Sequence, residues 1–337
     1  MKLILTALAL IAAATQALAD TAGLRQTQLN LSQDGSLSNV SIWYPSGDGG
    51  DQIVFAENNV FEGVQATVGA EVQKGRHPVV LFSHGMGGTD RAQAWLAAGL
   101  AARGAIVVAV NHPHSTFGDF DMSQGVKHWT RVADLSAALD SLLADPAFKD
   151  HVDPERIMAS GFSYGGWTAL SMGGIRGNLA GIVQACRTQI DTMEACDVLL
   201  SDGVRMQDVA PDVWNANYAD MRITHVAAID PGFVWGLNAG NVAHLVPNVL
   251  MIGFGGKDDR MSATDFNASG LADLLPNAHT IRFDPAFHFT AMPLCKSAAE
   301  EILKEENDDP VCTDPDGTDR AEVHKDIINA IAAELGI

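Results

Sequence analysis

The sequence predicts an α/β protein: a doubly wound, mostly parallel sheet with a small lid excursion. Three observations carry this expectation. Short, nearly continuous apolar runs recur along the chain, helical patterns alternate with them, and 337 residues, 47% of them apolar, suffice for one large domain. The runs are Pro78–Ser83, Ala105–Asn111, Arg156–Gly161, His225–Asp230 and Asn248–Phe254. A strand covered on both faces needs apolar residues on both, so unbroken runs of this length signal a parallel sheet between helices. Ala92–Arg103 and Trp129–Ala144 read as two of those helices. In the second, Val132, Leu135, Leu139, Leu142 and Leu143 share one face. Thr27–Tyr44 alternates instead, as a hairpin does. Arg320–Leu335 reads as the closing helix, with Asp319 and Glu322 at the spacing of a capping box. Arg176–Met221 breaks the rhythm with two cysteines, scattered charges and no clear strand. It is expected to cross the C-terminal edge of the sheet as a lid that shapes a substrate pocket.

The first 19 residues read as a secretory leader, which leaves residues 20–337 as the folded domain. Lys2 supplies a positive end, Leu3–Ala14 is apolar, and Ala17-Leu18-Ala19 is a small-x-small cleavage site. A run of twelve residues is too short to span a bilayer, and no later run approaches the required length, so no integral membrane segment is expected in the mature chain. An exported protein, periplasmic or secreted, follows. The 21 basic and 41 acidic residues give a net charge of −20. Such a chain repels phosphate backbones, which argues against a nucleic-acid partner. Four cysteines in an oxidising compartment suggest two disulfides. The nearest pairing is Cys186–Cys196 and Cys295–Cys312, and each short loop so closed contributes roughly 3 kcal/mol on the chain-entropy model.

The chemistry centres on Gly161-Phe162-Ser163-Tyr164-Gly165-Gly166. This G-x-S-x-G turn lies between a predicted strand and a predicted helix, the context in which the motif raises a serine above a sheet edge. Larger side chains at Gly161 and Gly165 would collide with backbone. The helix N-terminus favours developing negative charge, and the Tyr164 N–H points to where an oxyanion would form. Phe82-Ser83-His84-Gly85-Met86-Gly87-Gly88 follows an earlier strand and offers a second oxyanion donor, the Met86 N–H; His84 is expected to brace that loop. The base must follow the nucleophile in this chain order. His288, in Pro285-Ala286-Phe287-His288-Phe289 beyond the strand Thr280–Phe283, stands at the required edge. For the acid that orients it, Asp258 in Gly255-Gly256-Lys257-Asp258-Asp259 is the first choice; Asp230 in Ala228-Ile229-Asp230-Pro231-Gly232 and Asp259 are alternatives. His112 and His114 end another strand on the same edge and would line the pocket. An H-x-H metal pair lacks a third ligand, and Asp314-Pro315-Asp316-Gly317 lacks the glutamate of a calcium loop, so no metal is expected. Trp95, Trp129, Trp167, Trp214 and Trp235 divide between core and pocket wall.

These residues resemble the serine-hydrolase branch of the α/β-hydrolase superfamily. Val40–Pro45, His77–Gly88, Val152–Gly166, Ala286–Cys295 and Cys312–His324 look like the predicted dienelactone-hydrolase-like family of exported bacterial proteins. Phe82–Gly88, Asn111–Ser115 and the surroundings of Asp230 also look like platelet-activating-factor acetylhydrolase. In that group the acid follows the earlier strand, which keeps Asp230 in play; in the wider superfamily it follows the later one, which favours Asp258. Dienelactone hydrolases use a cysteine nucleophile where this chain has Ser163, so the resemblance implies an esterase fold and no particular substrate. The expectation is a serine carboxylic-ester hydrolase without cofactor, acting on a small-molecule or lipid-like ester. A lipase or phospholipid acetylhydrolase, a serine peptidase or amidase, and a catalytically silent binding module are the alternatives.

Overall fold

The computed structural model describes residues 22–31, 35–256 and 258–337; the expected leader lies outside them. Twelve strands form: β1 Gly23–Asn30, β2 Leu37–Tyr44, β3 Asp51–Phe55, β4 Val64–Val68, β5 His77–Ser83, β6 Ile106–Val110, β7 Ser115–Thr116, β8 Asp119–Phe120, β9 Val152–Phe162, β10 His225–Ile229, β11 Asn248–Phe254 and β12 His279–Phe283. Ten of them build one sheet in the order β12-β11-β10-β9-β5-β6-β2-β1-β4-β3, while β7 and β8 make a separate hairpin. From β12 to β6 every pairing is parallel. Beyond β6 the sheet turns mixed: β2 is antiparallel to β6 and β1, and β4 runs parallel to β1 but antiparallel to β3.

The two-residue period of a strand explains why the parallel half is apolar throughout. Along β5, Val79 and Leu81 enter the core on one face of the sheet, and Val80 and Phe82 enter the core on the other. The first core is closed by the helices His128–Ala144 and Tyr164–Met172, which contribute Val132, Leu135, Leu139, Trp167 and Leu170. The second is closed by Ala94–Ala101 and Arg320–Leu335, through Leu96, Leu100, Ile327 and Ile331. Burial of each such side chain contributes about 1.5–3 kcal/mol relative to exposure. The closing helix begins where its cap dictates, with the Glu322 N–H donating to Asp319 Oδ1 at 3.0 Å.

After β9 and the helix Tyr164–Met172 the chain leaves the sheet for three further helices before β10, Leu179–Thr188, Cys196–Leu200 and Pro211–Trp214. They bury Leu179, Ile182, Val183, Met193, Leu199, Met206 and Trp214 in a third core of their own. Cys186 and Cys196 are bonded within it, their Cα atoms 5.1 Å apart. Phe233 and Ala263, in the loops after β10 and β11, and Trp129 at the start of a long helix pack against this core, so the excursion rests on the C-terminal edge of the sheet. Cys295 and Cys312 form the second disulfide, Cα atoms 5.9 Å apart, just beyond the loop that follows β12. Among the described residues no helix is long and apolar enough to cross a membrane.

Candidate active site

In a parallel sheet the C-terminal strand ends share one edge, so the residues that follow them gather there. Ser163 follows β9 in a turn that only its glycines permit. A Cβ on Gly161 would lie 2.2 Å from the Gly165 carbonyl oxygen, and one on Gly165 would lie 1.9 Å from that of Ser83. Ser163 itself takes φ +56°, a strained value for a residue with a side chain. The turn is held by the Ser163 N–H donating to Ile229 O (2.8 Å) and the Gly232 N–H donating to Ser163 O (3.1 Å). Ser163 remains half-exposed while its neighbours on both sides are buried.

His288 lies 4% exposed in the loop after β12. Its Nε2 is 3.0 Å from Ser163 Oγ and its Nδ1 is 2.6 Å from Asp230 Oδ2. The geometry therefore brings Asp230, and neither Asp258 nor Asp259, to the imidazole. Asp258 is exposed in a turn beyond β11, whereas Asp230 is fully buried at the end of β10, the strand between the nucleophile's strand β9 and β11. Asp230 is densely coordinated. Oδ2 also accepts from Thr264 Oγ1 at 2.7 Å; Oδ1 accepts from Arg260 Nη1 and from the Phe254 N–H at 3.3 Å. Burial pushes the Asp230 carboxyl up, but the His288 and Arg260 contacts outweigh it, and the group lies below the ordinary carboxylate range.

Gly85 approaches the nucleophile so closely that a Cβ there would meet Ser163 Cβ at 3.3 Å. The Met86 N–H, next in the loop, and the Tyr164 N–H, first in the helix Tyr164–Met172, have no acceptor among the described residues. The loop is fixed from below. Arg131, 1% exposed, donates to the His84 carbonyl, to Ser83 Oγ (3.0 Å), to Ser115 Oγ (2.5 Å) and to Thr168 Oγ1 (3.1 Å), and lies 4.5 Å over the Tyr164 ring. His112 links Ser83 Oγ to Asp134 Oδ2 through its two nitrogens, each contact 2.9 Å. His84 Nε2 accepts from the His112 N–H at 3.2 Å, so its proton sits on Nδ1, 2.6 Å from the Gly85 carbonyl. His84 thus braces the loop, and His112 is structural. His114 Nδ1 lies 3.4 Å from Asp119 Oδ1. Asp314 is taken up by Arg320 and by Thr290 Oγ1. Trp95, Trp167 and Trp214 are core residues; Trp129 and Trp235 are half-buried.

The sequence reading overlooked Arg260, Thr264, Arg131 and Asp134. The first two have no local signature. Arg131 and Asp134 did leave a trace, as two charges interrupting the apolar face of a helix that packs on the sheet.

Burial leaves four histidines hard to protonate: His84 is pushed down to about 3, His128 and His324 to about 4, and His112 well below its ordinary value. An unfolded chain takes up protons on these rings below about pH 6.5 and the folded one does not. Their stabilisation is therefore complete above that pH and falls with acidification by about 1.4 kcal/mol per pH unit for each ring. Burial pushes Asp134 up to about 8 and raises Asp90 as well, so two carboxyls oppose the trend against these four rings and His225, which burial also lowers. The urea midpoint is expected to fall steadily from pH 6.5 to 5; a flat profile would show these rings to be protonated in the folded protein.

The sheet order, with Ser163 after β9 and His288 after β12 on one edge, is that of an α/β-hydrolase fold. Residues 58–118 match the family model of platelet-activating factor acetylhydrolase, isoform II. Over 89 residues the chain is 34% identical to lipase 1 of Moraxella sp. (strain TA144), a stretch that is 26% of this chain and 25% of that protein. The chain thus spans about a quarter of the length of the curated relative it matches. Among solved structures, a ferulic acid esterase from Streptomyces cinnamoneus superposes with a TM-score of 0.59 at 18% identity, over 96% of this chain and 91% of that one. A dienelactone hydrolase from Anabaena variabilis ATCC 29413 gives 0.44 at 14% identity, over 84% and 95%.

Proposed function

We propose that the protein is an exported serine carboxylic-ester hydrolase that works through an acyl-enzyme on Ser163. The observation that carries this reading is the chain of contacts from Ser163 Oγ through His288 to the buried Asp230. His288 Nε2 takes the Ser163 proton as Oγ adds to the ester carbonyl. Asp230 holds the ring with its Nδ1 proton inward and stabilises the imidazolium that forms. The oxyanion is received by the Met86 and Tyr164 N–H groups, where a single donor is worth on the order of 10²–10³ in rate. His288 returns its proton to the departing alcohol, and a water repeats the cycle on the acyl-enzyme. The tetrahedral adduct collapses with cleavage of the alkoxy C–O bond, and later of the bond to Ser163 Oγ; every step is an addition, an elimination or a proton transfer, so the reading invokes no metal or organic cofactor. Export rests on the leader-like first 19 residues and fits two disulfides.

The test is turnover of p-nitrophenyl esters together with labelling by a fluorophosphonate. Hydrolysis of at least one ester and a single adduct on the peptide bearing Ser163 are expected. An adduct on a different residue, or an unlabelled protein inert to the whole series, would refute the assignment.

A further inference from the structure

A second apolar feature adjoins this site. Strands β7 and β8 form a hairpin with Phe117 and Gly118 at its tip, Gly118 having φ +87°. Phe117 is 79% exposed and Phe120 50%, and they are the two phenylalanines so exposed among the described residues. The hairpin is not loose. Its backbone is sewn to the oxyanion loop by the Gly87 N–H donating to Ser115 O (3.0 Å) and the Phe117 N–H donating to Gly88 O (3.1 Å). The His114 N–H donates to Asp119 Oδ2 at 3.0 Å, and Thr116 Oγ1 to His112 O at 2.8 Å. Phe120 pairs with Ser115 across the hairpin and so shares its face. On that face Ser115 Oγ meets Met86 Sδ at 3.5 Å, and a Cβ on Gly87 would touch the Phe120 ring at 3.9 Å. Two exposed rings are thus rigidly joined to the loop that carries the Met86 N–H.

We propose that Phe117 and Phe120 form the subsite for an apolar acyl chain of the ester substrate. The inference rests on the ester-hydrolase reading above. At the tetrahedral carbon the alkoxy oxygen faces His288 and the oxyanion faces the Met86 and Tyr164 N–H groups, which leaves the acyl chain the remaining direction; the proposal sets that direction along the hairpin, the exposed apolar surface joined to the oxyanion loop. A rigid pair of exposed aromatic rings at that place gains from covering an apolar chain. An anionic lipid surface is a poorer occupant, because Asp119 and Asp121 flank Phe120 and the whole chain carries −20.

The experiment compares the wild type with Phe117→Ala, Phe120→Ala and Phe120→Leu on p-nitrophenyl esters from acetate to octanoate, kept below their micelle-forming concentrations. The ratio of kcat/KM for octanoate to that for acetate is expected to fall about tenfold in each alanine variant, through KM, and to recover substantially in Phe120→Leu. A ratio equal to that of the wild type, or equal losses on every ester, would overturn the subsite. A parallel series presents the octanoate in detergent micelles; an effect confined to that series would also overturn the subsite and make the hairpin a surface anchor. A wild type that hydrolyses no ester in the series would instead sink the underlying function, so the two failures are distinct.

Discussion

Replacing Ser163 by alanine is expected to lower kcat for the best p-nitrophenyl ester by about 10⁶-fold, leaving the residue of catalysis that the oxyanion donors and substrate binding give without a nucleophile. The fold should survive. Among the described residues Ser163 Oγ is hydrogen-bonded to His288, and alanine meets the same backbone strain at φ +56° that serine already tolerates. Circular dichroism and the thermal midpoint should therefore match the wild type while the burst of nitrophenol disappears. Retention of more than about one per cent of the rate would place the attacking group elsewhere.

The second large effect belongs to Asp230. Asp230→Asn is expected to cost about 10⁴ in kcat, because an amide both removes the charge facing the imidazolium and lets the ring settle in the wrong tautomer. Asp258→Asn and Asp259→Asn should stay within about twofold of wild type, as fits exposed or half-exposed surface carboxylates. Asp230 also answers the buried Arg260, 5% exposed, so its loss strains the fold. Rates are thus to be normalised to the folded fraction at each temperature. A large loss in Asp258→Asn beside a near-normal Asp230→Asn would assign the orienting acid to the later strand.

The choice between those carboxylates marks where the sequence stops being legible. Strands such as Pro78–Ser83 and Asn248–Phe254 are visible because burial on two faces imposes an unbroken apolar run. Ser163 is visible because its turn demands glycine at fixed spacing, and His288 because chain order and a strand-end position leave few alternatives. The orienting acid obeys no such local rule. Asp230 and Asp258 both follow parallel strands, and what separates them is the direction the chain takes next. At Asp230 the backbone bends to φ +44° and keeps the carboxylate inside, beneath Arg260 and Thr264; at Asp258 a turn carries it out to water. Arg260 was hidden for a related reason, since a buried cation is defined by its partners and its own sequence neighbourhood carries no signature. The β3–β4 hairpin escaped notice because its strands are short and half-exposed, so that burial leaves little pattern in them.

The three-helix excursion between β9 and β10 has a bearing on how such a protein changes over generations. Its apolar residues pack mostly on one another around Cys186–Cys196 and meet the core beneath through Phe233 and Trp235. A substitution inside it disturbs a small local packing unit, whereas one at Gly161 or Gly165 meets backbone on every side. A changed side chain is therefore accommodated more readily in the cover over the strand ends than in the turn of Ser163.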